Sequence, residues 1–409
     1  MRASPAPTEG PAFQAAGLAG PARYEFGAPL VWVLASKRAG DAGQVLALAE
    51  GLGWPFELKH LQFRRSSVVL APPFASSDAG VDRRRSSSLS PPWPDLVLAS
   101  GRENEPVARW IRDQSGGNAR IVQVGRPWGP IAAYDLVVTT PQYRLPARDN
   151  VLHNTAPLHR VTPTRLAAAS QEWADRLTAM PRPLIAVLVG GHSGPYVLTR
   201  RSGERLAAEA SALATRLGGS LVVTTSARTP DAAARALERG LDGSHLMYRW
   251  RRGDRDNPYF AFLALADEII VTADSMSMVG EAVATGKRVH LFDLGLGWGS
   301  MRGPAAGREL RPRLGDWLSE LHPRAALYRC LLRVAPSRVT RDLRLVHRKL
   351  TATGRAGWLG DPVPAGSPPP LDDLARAVAR VRSLMAARGV PAEPRGDWTV
   401  GPRLTEAAA

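Results

Sequence analysis

The stretch "DEIIVTADSMSMVGEAVATGKRVHLFDLG", Asp267 to Gly295, decides the fold. Its first part, "DEIIVTA", is a continuous apolar run, as expected of a strand buried on both faces. A helical pattern starts at Ser275 and stops at Gly286, and a second apolar run, "RVHLFDLG", follows at 288–295. Strand, helix and strand in such close succession make a βαβ unit, which requires a parallel sheet. At the junction Asp274, Ser275 and Ser277 stand where strand becomes helix. Residues of this kind cap helices, and the same place binds anions, because first-turn amides and the helix dipole face outward there. Asp274 and Ser275 are expected to cap, and Met276 and Met278 to pack.

The same rhythm extends in both directions. Upstream lie "LVWVLAS" (30–36), "FELKHLQF" (56–63), "DLVLAS" (95–100), "RIVQV" (120–124) and "DLVVTT" (135–140), with helical patterns at 42–53 and 105–114. It breaks over the Pro-, Asn- and Thr-rich segment 140–165, and a helical pattern leads to "PRP". It restarts with "LIAVLVGG" (184–191), "SLVVTTSA" (220–227) and "SHLMYRW" (244–250), separated by helical stretches. The pattern predicts two successive doubly wound, Rossmann-like α/β domains of about five strands each. We expect a disordered tail over 1–27, a first domain over 28–178 with a Ser/Pro/Arg-rich insertion at 64–94, a second over 179–320, and a helical extension with a Pro-rich linker over 321–409.

Composition sets the outer bounds. Hydrophobic residues make up 44% of the 409, enough for real cores. No apolar run is long enough to cross a bilayer, and the N-terminal stretch lacks the apolar core of a signal peptide. One cysteine, Cys330, excludes an internal disulfide framework and fits a reducing compartment. The formal charge is +16, but 49 of the 53 basic residues are arginine, an imbalance that a GC-rich genome also produces. Charge alone therefore names no partner. No zinc-finger spacing, RNA-binding signature or basic heptad region is present, so nucleic acid is not expected.

Ligands of doubly wound sheets bind beyond the carboxyl ends of the strands, so polar and glycine residues in the strand-to-helix loops are the candidates. After the first strand, "SKRAGDAGQ" offers Lys37, Asp41 and Gln44, with Asp41 either an N-cap or a functional acid. "SGRENEP" offers Arg102, which either faces the cleft or pairs with Glu103 or Glu105. "VGGHSGPY" offers Gly190, Gly191 and Ser193, whose small size lets backbone amides approach a diphosphate. His192 in that loop reads as hydrogen-bonded rather than as a base. "TTSARTP" offers Thr225, Ser226 and Arg228, an arginine able to clamp phosphate oxygens. The opening stretch offers Ser275, Ser277, Met278 and, one turn on, Glu281. The "DNPYF" turn adds Asn257, which also reads as a helix cap, and Tyr259. Neither a GxGxxG fingerprint nor a P-loop is present.

Several of these motifs resemble one family. "NPYFAFLALADEIIVTADSMSMVGEAVATGK", "LIAVLVGGHSGPYVLT", "VVTTSARTP", "PDLVLASGRENEPVARWI" and "PQYRLPARDNVLHNTAPLHRV" are similar to the mitochondrial-fission protein family, named for a plant protein whose loss elongates mitochondria. The resemblance covers roughly residues 30 to 385. It implies two domains arranged as in GT-B glycosyltransferases. Where the family usually has "TSRRTP", this chain has Ala227 and keeps Arg228. The expectation for function is a metal-independent glycosyltransferase without a cofactor, taking a nucleotide-sugar as co-substrate. Its donor would lie on the second domain, against Gly190, Gly191, Ser193, Thr225, Ser226, Arg228, Asn257, Tyr259, Ser275, Ser277, Met278 and Glu281. Asp41 would be the general base, with Lys37, Gln44 and Arg102 on the acceptor side. A lipid-linked or envelope glycan acceptor is expected, with the chain cytoplasmic and peripheral at the inner membrane on an anionic surface. The alternative is a non-catalytic adaptor at a membrane, as for the plant member.

Overall fold

The computed structural model describes residues 28–64, 75–194, 196–295, 300–302, 328, 334, 340–362 and 370–389. The expected N-terminal tail, part of the 64–94 insertion, Cys330, most of the Pro-rich linker and much of the helical extension lie outside the described residues.

The first sheet is built from β1 (Val31–Leu34), β2 (Phe56–Lys59), β3 (Leu96–Ser100), β4 (Arg120–Val124), β5 (Leu136–Thr139) and β6 (Val151–His153). Their order is β2-β1-β3-β4-β5-β6 and every pairing is parallel. Alternate residues point to opposite faces. Val31, Val33, Leu96, Leu98 and Val122 therefore pack on α1 (Ala39–Leu52), which ends in a left-handed Gly53. Trp32, Leu34, Val97, Ala99 and Ile121 pack instead on α2 (Asn104–Gln114). A sheet covered on both faces explains the continuous apolar runs.

The second sheet contains β7 (Leu184–Leu188), β8 (Ser220–Thr224), β9 (His245–Tyr248), β10 (Glu268–Thr272), β11 (Arg288–Phe292) and β12 (Gly357–Trp358), in the order β12-β11-β10-β7-β8-β9, again all parallel. Counted from β7, this is the 3-2-1-4-5-6 order of a dinucleotide-type Rossmann sheet. Its helices are α3 (Pro163–Leu177), α4 (Arg200–Leu217), α5 (Asp231–Gly240), α6 (Tyr259–Leu265), α7 (Met276–Ala284) and α8 (Arg344–Ala352). A last helix, α9 (Asp373–Ala386), follows.

Three features differ from the sequence reading. Each sheet has six strands rather than five. The extra ones, β6 and β12, are three and two residues long. Helix α3 packs with the second sheet, since Trp173 and Leu177 belong to its core. The last helix returns to the first: Ala377, Val381 and Met385 are fully buried against the α1 side of the first sheet. Its start is pinned by the Asp373 carboxylate, which accepts the amides of Thr155 and Ala156 at 2.8 to 2.9 Å.

The burial of α9 has a measurable consequence. Met385→Ala is expected to lower stability by about 2–5 kcal/mol, the usual cost of a cavity at a buried methionine. Urea denaturation followed by circular dichroism checks this; a change below about 0.5 kcal/mol, as for a surface site, would mean that α9 is not part of the first domain's core.

Candidate functional site

Each sheet has one place where the strand order reverses, and ligands of doubly wound sheets bind at that switch point. In the first sheet it lies between β1 and β3; in the second, between β7 and β10. Loops leaving β1 and β10 meet where the two domains face each other, at an interdomain cleft. Gly40, in the first turn of α1, lies so close to α7 that an added Cβ would sit 3.0 Å from the Ser277 hydroxyl oxygen. Two helix N-termini, each carrying a positive partial charge, thus face one another across the two domains.

On the second domain, Asp274 ties three loops together. Its carboxylate is buried, accepts the Gly191 amide at 2.9 Å and lies 3.5 Å from the Arg228 guanidinium. The Gly190 amide donates to the Thr272 hydroxyl at 2.7 Å. The Gly190 and Gly191 amides, expected to reach a ligand, are therefore spent inside the fold. These two glycines are needed for close packing. A Cβ on Gly190 would meet the Asp274 oxygens at 2.6 Å, and one on Gly191 would meet the Arg228 carbonyl oxygen at 2.2 Å. Asp274 is not the expected helix cap. Ser275 occupies the cap position of α7, yet its side chain makes no cap hydrogen bond.

Thr225 and Ser226 also serve the framework. The Thr225 hydroxyl accepts the Trp250 amide at 2.9 Å, and Ser226 donates to the Gly190 carbonyl at 3.0 Å. Arg228 donates to the His192 carbonyl at 3.0 Å and remains half-exposed toward the cleft. The His192 ring accepts the Leu198 amide at 3.1 Å, the structural role expected of it. Ser193 accepts from Arg341. Met276 is buried, and Met278 packs at the core's edge.

One turn into α7, the Tyr259 hydroxyl donates to Glu281. Asn257 caps the turn ahead of Tyr259 by accepting its amide at 3.1 Å. Burial is the main influence on Glu281. It outweighs the Tyr259 hydrogen bond and the charges of Arg165 and Arg160, and lifts the carboxyl to about 7. Burial and the neighbouring Glu281 push the Tyr259 hydroxyl well above its usual value.

On the first domain, Asp41 is not the N-cap of α1 but stands in its first turn, with Arg38 at the cap. Burial raises its pKa, while Arg38, Arg341 and Arg228 pull it down and Glu103 pushes it up. Arg228 belongs to the other domain, so Asp41 looks across the cleft. Gln44 turns back to its own helix and donates to the Gly40 carbonyl at 3.2 Å. The Lys37 ammonium lies 5.8 Å from the Phe63 ring centroid. Arg102 does not pair with Glu105, which instead accepts the amides of Trp128 and Gly129 and the Tyr134 hydroxyl. The Arg102 guanidinium lies 5.1 Å from the Trp128 ring centroid.

Four contributors escaped the sequence reading: Arg126, Trp128, Tyr143 and Arg341. Arg126 donates to the Thr340 carbonyl and lies 5.2 Å from the Trp128 ring centroid and 5.1 Å from that of Tyr143. Arg341 leads a segment that straps the domains together. The Asp342 amide donates to the Gln142 carbonyl at 2.9 Å, and Asp342 pairs with Arg144 at 2.8 Å on the first domain. His347, on α8, binds the Ala273 carbonyl at 2.8 Å on the second. No group of three or more His, Cys, Asp or Glu positioned to hold a metal ion occurs among the described residues. No described helix is long and apolar enough to cross a membrane.

A family model, described as mitochondrial fission ELM1, matches residues 39–312, more than half of the chain. The chain belongs to that family. Its Arabidopsis thaliana relative, mitochondrial fission protein ELM1, is 28% identical over 323 residues, which is 72% of this chain and 65% of that protein. The chain thus spans just under two thirds of that relative's length. An uncharacterised protein of Rickettsia prowazekii, RP120, is 22% identical over 301 residues, 64% of this chain and 82% of that one. Among solved structures, a complex of MnaA from S. aureus with UDP has a TM-score of 0.41 at 12% identity, over 91% of this chain and all of that one. The E. coli ADP-heptose LPS heptosyltransferase II has a TM-score of 0.38 at 12% identity, over 79% and 98%. The GT-B-like reading of this ELM1-family chain stands on its own strand orders and on two switch points that share a cleft.

Glu281 gives the site a pH signature. A carboxyl raised from 4.5 to about 7 stabilises the fold while protonated; that contribution is complete below 4.5 and is lost as pH rises through about 7. Glu281→Gln is expected to flatten the loss of stability over this window. Urea midpoints across the pH range test it, and an unchanged slope in the variant would show that Glu281 titrates normally.

Proposed function

We infer that this chain is a glycosyltransferase that takes a nucleotide-sugar as donor and works without a metal ion. The observation that supports this reading most is the convergence of both switch points on one cleft. An acid, Asp41, stands on one wall; a half-exposed guanidinium, Arg228, and the N-terminus of α7 stand on the other.

The chemistry follows from that polarity. The donor's diphosphate lies against Arg228, the Ser277 hydroxyl and the first-turn amides of α7, which have no intrahelical partner. Glu281, one turn further along, accepts hydrogen bonds from the ribose hydroxyls, and Tyr259 fixes its orientation. The acceptor hydroxyl approaches from the first domain. Asp41 takes its proton, the acceptor oxygen forms a bond to the anomeric carbon, and the bond from that carbon to the phosphate oxygen breaks. The electron pair leaves with the diphosphate, whose added charge Arg228 and the helix dipole stabilise. Burial makes Asp41 a stronger base than an exposed aspartate, which suits proton abstraction.

A donor screen tests the reading. With UDP-, GDP-, ADP- and CMP-sugars offered in turn, one class should raise the melting temperature, since a ligand at about 100 times its Kd adds about 2.7 kcal/mol. Glu281→Ala should abolish the rise. Asp41→Asn should keep it and slow release of the nucleoside diphosphate by about 10² or more. The reading fails if no nucleotide-sugar stabilises the protein.

A further inference from the structure

The first-domain wall of the cleft carries a feature that the donor chemistry does not use. Arg102 and Arg126 both lie against the Trp128 ring, at 5.1 and 5.2 Å from its centroid, and Arg126 also lies 5.1 Å from the Tyr143 ring. Arg341 stands beside Tyr143 and within electrostatic range of Arg126 and Asp41.

Among the described residues, none of these three arginines forms an ion pair. Elsewhere in the fold, partly buried guanidiniums do find carboxylates. Arg112 and Arg120 share Asp135, and Arg144 and Arg344 share Asp342. The polar partners of Arg126 and Arg341 in the cleft are a carbonyl and hydroxyl groups. These satisfy N–H groups without neutralising charge. Arg341 lies in the field of one carboxylate, Asp41, so three guanidiniums gathered here keep a net positive charge that an added anion would offset. Cation–π contact with Trp128 and Tyr143 holds Arg102 and Arg126 in place. Guanidiniums gathered without ion pairs are suited to recognise phosphate oxygens.

We propose that Arg102, Arg126 and Arg341, ordered by Trp128 and Tyr143, form a subsite for a phosphate group carried by the acceptor. The name "acceptor" rests on the glycosyl-transfer reading; the anion subsite itself does not. Arg341 is within electrostatic range of Asp41, so a phosphate held there would present another hydroxyl of the same molecule toward the base. Two sources share this chemistry: a soluble sugar phosphate and a polyprenyl phosphate at a membrane surface.

The test uses the full chain with its donor site first filled by the nucleoside diphosphate that the donor screen selects. If the screen selects none, the same titration is run without nucleotide. Inorganic phosphate is titrated calorimetrically, followed by a hexose phosphate and, separately, phosphatidylcholine vesicles doped with a polyprenyl phosphate. Phosphate should bind, and both Arg102→Ala and Arg126→Gln should weaken it by roughly tenfold, the loss of one charge-assisted contact. Arg102 is exposed, so its variant reads binding even if Arg126→Gln disturbs the fold. The hexose phosphate or the doped vesicles should then bind more tightly than phosphate alone, and the arm that does so identifies the source. Absence of phosphate binding, or equal binding by Arg102→Ala and the wild type, overturns the subsite. If phosphate binds in this residue-dependent way but no nucleotide-sugar does, the subsite stands and the glycosyl-transfer reading falls.

Discussion

The cleft wall of the second domain is organised around one buried carboxylate. Asp274 sits at the switch point of its sheet, accepts the Gly191 amide and faces Arg228, so the loops after β7, β8 and β10 are held in one arrangement. A buried charge is tolerated only with such partners, and removing one of them typically costs several kcal/mol. The requirement propagates outward. Gly190 and Gly191 must lack side chains because Asp274 and the Arg228 backbone occupy that space. Ser226 and Thr229 must be hydroxyls because they bind the Gly190 carbonyl. What remains available to a ligand is the outer edge of this lattice: Arg228, Ser277 and the start of α7.

Much of this was legible in the sequence, for a physical reason. Central strands buried on both faces are continuous apolar runs, and the edge strands β2 and β9, though half-exposed, are β-rich, so ten of the twelve described strands announced themselves. The other two are short: β6 lies among Pro and Asn residues, and β12 is only Gly357–Trp358. Such pieces are strands because a neighbouring edge pairs with them, which no local pattern records. Helix α9 was legible as amphipathic, but its pattern says that one face is buried, not against which domain.

The site was half legible. Glycines and hydroxyls at strand ends marked the loops that leave the switch-point strands, yet many of them hold the loops to each other. Glu281 and Tyr259 were singled out on separate motifs, whereas their hydrogen bond required the geometry. Arg126 and Arg341 were invisible for a different reason. In a chain with 49 arginines, another arginine carries little information. Only three-dimensional context separates them from the solvated majority: Arg126 lies over Trp128 and Tyr143, and Arg341 stands beside Tyr143.

Among the described residues, the segment after β6 leads from the first domain to α3 on the second, and α9 is back on the first. The start of α9 is tied to the segment after β6: Asp373 accepts the amides of Thr155 and Ala156, and Arg376 reaches the His153 carbonyl. Close by, Glu50 and Arg160 join the first domain to the same segment through paired hydrogen bonds. The Arg341–Asp342 segment is a second tether, with Asp342 on Gln142 and Arg144 of the first domain and Arg341 on Ser193 of the second. Any change in the separation of Asp41 and Arg228 has to be accommodated at both tethers.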